Sequence, residues 1–155
     1  MGFQIQGLPV DGFRHLYGLS DAQLKGNGAY RYIADSHPGY PDRIEMRDAE
    51  IGEALLLVNH VSMDKPTPYR ASHAIFVREG AEMSYQASNA VPDVMHRRLI
   101  SLRAFDHEGM MTDAVLAEGD AIGPAIERLL GDASVDHIDA HYALRGCYAA
   151  RITRD

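Results

Sequence analysis

The chain has 155 residues, 46% hydrophobic and 24% charged, with a formal net charge of −7 at pH 7 and a pI near 5.5. Those values fit one globular domain spanning residues 1–155, large enough to bury its own core without a metal or a disulfide, and they exclude a disordered chain. The acidic balance, with no run of Lys or Arg to offset it, argues against nucleic acid as a partner, and the longest apolar stretch, Ala54 to Val58, is far shorter than the ~20 residues of a membrane-spanning helix.

Phe3 to Gln6 reads as an edge strand stopped by Gly7-Leu8-Pro9. The start as a whole lacks the basic and apolar regions of a secretory leader, and the single cysteine, Cys147, cannot close an internal disulfide, so a cytoplasmic location is expected. Ser20-Asp21-Ala22-Gln23 has the spacing of a capping box and opens a short helix that stops near Gly26. Tyr30 to Ala34 reads as a strand, and Ser36-His37-Pro38-Gly39-Tyr40-Pro41 as a shaped loop. The apolar run from Glu53 to His60 is short enough to favour a buried strand, after which Pro66 and Pro68 break the chain.

Ala74 to Glu79 and Arg98 to Phe105 are the clearest central strands, with Pro92 between them opening a helical turn that reaches about His96. Met110 to Leu116 forms another strand. Asp120 is then the expected N-cap of a helix from Ala121 to Leu130, with Ile122, Ala125, Ile126, Leu129 and Leu130 at helical spacing and Gly131 as its stop. Strands outnumber helices and do not alternate with long ones. The fold class is therefore α+β: an antiparallel or mixed β-sheet with a few short helices packed on one face, closed by a C-terminal β-hairpin.

The hairpin is the most informative segment. Ala143-Leu144-Arg145-Gly146-Cys147 fits a three-residue loop with Gly146 left-handed, which sets Ala143 opposite Cys147. The same register pairs Tyr142 with Tyr148, Ala140 with Ala150 and Ile138 with Ile152 on an apolar face. The other face receives His141 with Ala149, Asp139 with Arg151 and His137 with Thr153.

His137, Asp139 and His141 are proper metal-ligand types, but the two histidines lie roughly 13 Å apart along a strand, and nothing in the sequence brings His73 or His107 to them. No tightly held metal and no cofactor is expected. Asp139 is read as the partner of Arg151. The catalytic candidates are His141, Asp139 and Cys147, since an imidazole on the same face as a thiol could generate a thiolate. For anion recognition the candidates are Arg70 and Ser72, leading into a strand with His73, and Arg103, whose place in a central strand means that its guanidinium is either paired or facing a cavity.

These residues fall in segments that together resemble a known family. Pro38-Gly39-Tyr40-Pro41-Asp42-Arg43, Pro68-Tyr69-Arg70-Ala71-Ser72, Ala74-Ile75-Phe76-Val77-Arg78, Ser101-Leu102-Arg103-Ala104-Phe105-Asp106 and Gly146-Cys147-Tyr148-Ala149-Ala150-Arg151 are similar, in the same order, to the bacterial domain-of-unknown-function family 1203. The family carries no established activity. Its pattern resembles Tyr-Pro-Cys-Arg where this chain has Asp42, and His-x-His where it has Asp139, so a soft ligand and an imidazole are replaced by carboxylates suited to harder ions. The resemblance adds Arg43 to the candidate set of Arg70, Ser72, Arg103, His141 and Arg151, beside Cys147.

The sequence therefore leaves the function unknown and favours a binding protein whose Arg- and His-lined pocket takes a small anionic or polar ligand. Two alternatives stand beside it: a small enzyme using His141 with Asp139 or Cys147, and an interaction module acting through a sheet edge, including self-association into a homo-oligomer.

Overall fold

The computed structural model describes residues 2–155. Its strands are β1 (Phe3–Gln6), β2 (Tyr30–Ile33), β3 (Ala54–Met63), β4 (Ala71–Arg78), β5 (Gln86–Ser88), β6 (Ile100–Phe105), β7 (Met111–Ala117), β8 (His137–Tyr142) and β9 (Tyr148–Arg154). The helices are α1 (Asp21–Gly26), α2 (Asp93–His96) and α3 (Ile122–Leu130), joined by short 3₁₀ turns. Every named strand pairing is antiparallel. The strands form a six-stranded sheet in the order β5-β1-β9-β8-β6-β7 and a three-stranded sheet in the order β2-β3-β4. The architecture is α+β, and no helix among the described residues is long and apolar enough to cross a membrane.

Alternation along the strands decides what each face of the large sheet meets. Ile100, Leu102, Ile138, Ala140 and Ile152 point to one face and are fully enclosed beneath Ile122, Ile126 and Leu129 of α3. The opposite face carries Ser101, Arg103, Asp139, His141 and Arg151, and the small sheet lies over it. Leu56 and Val58 of β3 and Ile75 and Val77 of β4 share a second core with Tyr148 of β9. The polar face is thus an interior surface between two sheets.

Ser20 and Gln23 close the expected capping box at 3.2 and 2.9 Å. Asp120 does not cap α3. A 3₁₀ turn over Gly119–Ala121 winds the chain past it, Ala121 takes the N-cap position, and the Asp120 carboxylate meets His96 at the surface. Strand β5 is too short for alternation to reveal, since three residues carry no period.

In the hairpin, Ile138 faces Ile152, Asp139 faces Arg151 and Ala140 faces Ala150 as the alternation requires. Nearer the turn the register differs. Tyr142 donates its N–H to the Cys147 carbonyl and accepts from Gly146, so the loop has four residues rather than three, and His141 pairs with Tyr148. The unpaired Ala149 forms a bulge that absorbs the one-residue slip before the ladder continues. Gly146, at φ 78°, takes the left-handed conformation that closes the turn. Across the slip Tyr148 turns to the inter-sheet face and Cys147 moves to the face of Tyr142.

Candidate functional site

A cavity of about 240 Å³ opens where the loop between β3 and β4 overhangs the polar face of β6 and β8. Arg70, Arg103, Asp139 and His141 line its polar part, and Met63, Tyr69, Phe105 and Met111 form an apolar wall. The cross-strand ladder explains the convergence: Arg103 lies opposite Asp139 and Ser101 opposite His141, all on one face. Arg103 Nε donates to Ser101 Oγ at 3.1 Å, which folds the guanidinium back toward His141. Among the described residues Arg103 forms no ion pair, whereas Arg31, Arg47, Arg78, Arg97 and Arg98 each meet carboxylates.

His141 is 3% exposed and its Nδ1 lies 2.9 Å from the Gly146 carbonyl. A carbonyl only accepts, so Nδ1 carries the hydrogen and Nε2 keeps its lone pair. Burial pushes the imidazole pKa down to about 4, with the Arg103 and His73 charges acting in the same direction, so the ring is neutral at pH 7. The His73 ring sits 4.9 Å from it, edge to face, and burial followed by the Arg103 charge also lowers the His73 pKa. His60, opposite His73 in the ladder, packs on Tyr148.

Asp139 is held by Arg151 through Nε at 3.0 Å and a terminal nitrogen at 3.3 Å. His137 Nε2 stands 3.7 Å away, beyond hydrogen-bond reach, while its Nδ1 binds Asp136 at 2.9 Å. Burial alone would raise the Asp139 pKa, but His137 and Arg151 outweigh it and the carboxyl lies below its ordinary value. The expected Asp139–Arg151 pair is present, and Arg151 also donates to the Ser62 carbonyl of β3 at 3.1 Å.

Of the sequence candidates, Arg70, Arg103, Asp139 and His141 meet at the cavity and the others do not. Ser72 projects from the outer face of β4, where Asn59 donates to it at 3.3 Å. Arg43 is buried beside the hairpin turn: it donates to the carbonyls of Tyr148 and Pro41 and to Cys147 Sγ, and its guanidinium lies 4.9 Å over the Tyr142 ring. Cys147 therefore faces Arg43 rather than His141, because the bulge at Ala149 changes the parity of the strand. The apolar wall was not foreseen. Phe105 could have been, since it stands two residues from Arg103 and so on the same face of β6.

Residues 39–154 match the family described as Protein of unknown function (DUF1203). The chain belongs to the DUF1203 family. No curated protein and no solved structure matches it. In this DUF1203 chain the loop landmark around Asp42 and Arg43 is a joint: Asp42 is fully buried and accepts from the backbone amides of Ile44, Glu45 and Arg78 at 3.1, 2.6 and 2.7 Å. A thiol at that position could not accept three amides with comparable strength. The DUF1203 landmarks thus divide between a structural clamp around Asp42 and Arg43 and the cavity lined by Arg70, Arg103 and His141.

Proposed function

We propose that this DUF1203 protein binds a small anionic or polar organic molecule in the cavity between its sheets. The observation that carries the reading is Arg103: a guanidinium without a carboxylate partner, lining a cavity, in a chain whose net charge is −7. A cation left unpaired beside a low-dielectric wall gains most from an anion that supplies the missing acceptors. Arg70 at the rim adds a second positive charge; it is exposed, with one bond to the Asp64 carbonyl. The lone cysteine fits a reducing cytoplasm, the bacterial setting is what the family resemblance implies, and the acidic charge disfavours nucleic acid.

A thermal-denaturation screen against small metabolite anions tests the proposal, because a ligand at a hundred times its Kd stabilises the fold by about 2.7 kcal/mol. Arg103→Ala is expected to abolish the stabilisation and Cys147→Ser to leave it intact. Equal losses from the two substitutions, or no stabilising anion at all, would count against it. A second reading, a small enzyme, rests on the neutral His141 and its lone-pair Nε2; it requires turnover of a bound compound that disappears on substituting His141.

A further inference from the structure

Three chemically different surfaces meet within the cavity, and their order limits what can fill it. Arg103 and His141 are diagonal neighbours on adjacent strands, and the bond from Arg103 to Ser101 draws the guanidinium toward the strand position opposite His141. Cation and imidazole therefore stand on one wall of the cavity, where a single small molecule can meet both. Met63, Tyr69, Phe105 and Met111 cover another side, with Tyr69 set edge-on to Phe105 at 6.1 Å. That wall supplies burial energy only to a ligand with an apolar body.

Charge narrows the choice further. Asp139 also lines the cavity, and Arg151 already holds both of its oxygens. A carboxylate in the wall repels a multiply charged anion more than a singly charged one, which disfavours phosphate esters and dicarboxylates. Arg103 repels an ammonium placed beside it, and the Asp139 carboxylate that could offset this is already paired with Arg151, so the donor that suits His141 Nε2 is uncharged. The volume, about 240 Å³, falls below the roughly 300–1,000 Å³ of drug-sized pockets and restricts the ligand to a short skeleton.

Resting on the anion-site reading above, we infer that the ligand class is a small monocarboxylic acid with a hydroxyl on the neighbouring carbon and a compact apolar side group. The carboxylate lies on Arg103, with Arg70 at the rim; the hydroxyl donates to Nε2 of His141; the side group rests on Phe105, Tyr69 and the two methionines. The hydroxyl is the group that His141 selects, and the carboxylate is the group that Arg103 requires.

Calorimetric titration of the full chain tests this with four compounds of one carbon skeleton: leucic acid, isocaproic acid, which lacks the hydroxyl, isocaproamide, which lacks both the hydroxyl and the charge, and leucine, which has an ammonium in place of the hydroxyl. Inorganic phosphate is the fifth probe. Leucic acid is expected to bind roughly three- to tenfold more tightly than isocaproic acid, the contribution of one neutral hydrogen bond. Isocaproamide should show no binding. Arg103→Lys, which keeps the charge and loses the paired donors, should weaken both acids, and His141→Phe should erase the difference between them. In the unsubstituted chain, the nitrogen resonance of His141 Nε2 should move with leucic acid and stay with isocaproic acid, so the assignment survives a variant that fails to fold. Equal affinity for the two acids, tightest binding of leucine, or binding of phosphate alone would each overturn the hydroxy-acid assignment while leaving an anion site in place. If neither acid nor phosphate binds, the anion-site reading itself falls.

Discussion

His141 shows how one buried imidazole couples the candidate site to stability. Its pKa drops from 6.5 to about 4 on folding, so between those values the unfolded chain binds the extra proton and the folded chain does not. Stability therefore rises with pH through that window and is lost as pH falls toward about 4. At about 1.4 kcal/mol per pH unit the contribution is roughly 3 kcal/mol, and His60 and His73, also lowered mainly by burial, add in the same direction. Urea unfolding followed from about pH 7 to about pH 4 is expected to show a falling midpoint, with a clearly flatter slope in His141→Gln. A slope unchanged in that variant would mean that other groups govern acid sensitivity. Asp139 acts lower on the scale: with its pKa held below the ordinary 3.8, its contribution is lost only as pH falls further.

At the level of elements, the hairpin reaches beyond its own ladder. Arg154 of β9 donates to the carbonyls of Leu130, Asp132 and Val135, which are groups that the end of α3 and the following turn leave without helical partners. One side chain at the strand's end therefore fixes the helix that covers the apolar face of the sheet. Because the side chain is exposed, Arg154→Ala is expected to cost only about 1 kcal/mol in denaturant unfolding. Its sharper signature is local: amide exchange should accelerate over Asp132 to Val135 and the last turn of α3, while β6 and β8 stay protected. Uniform acceleration across the sheet would show that Arg154 supports the whole fold rather than this junction.

Across the whole molecule, two arginines have opposite roles. Arg43 is 2% exposed and satisfies two carbonyls and a thiol while covering the Tyr142 ring, tying the loop before β3 to β9. Replacing it with Met leaves those acceptors buried, with an expected loss of about 3 kcal/mol or more. Arg103 has one bond, to Ser101, and opens onto the cavity, so Arg103→Met should change stability by less than about 1 kcal/mol. Measured side by side by urea unfolding, the two variants separate clamp from site. Comparable losses would mean that Arg103 also holds the sheets together.

The amino-acid sequence alone determined the strand-rich α+β class, the short helices and the central pairs of the hairpin. Each of these depends on alternation or helical spacing over neighbouring residues, as in Ile138 and Ile152 turned inward while Asp139 meets Arg151. It also pointed to Arg70, Arg103 and His141, because a guanidinium in a central strand must find either a partner or a cavity. Only the tertiary structure decided which. The bulge at Ala149 is one extra residue with no turn signal of its own, yet it moves Cys147 to the face of Arg43 and brings Tyr148 to the imidazoles. The packing of a second sheet over the polar face is equally silent in local pattern. That layer comes from residues far back along the chain, none of them beyond Arg78, and it makes a row of polar side chains, which alternation reads as solvent-facing, into the lining of an interior cavity.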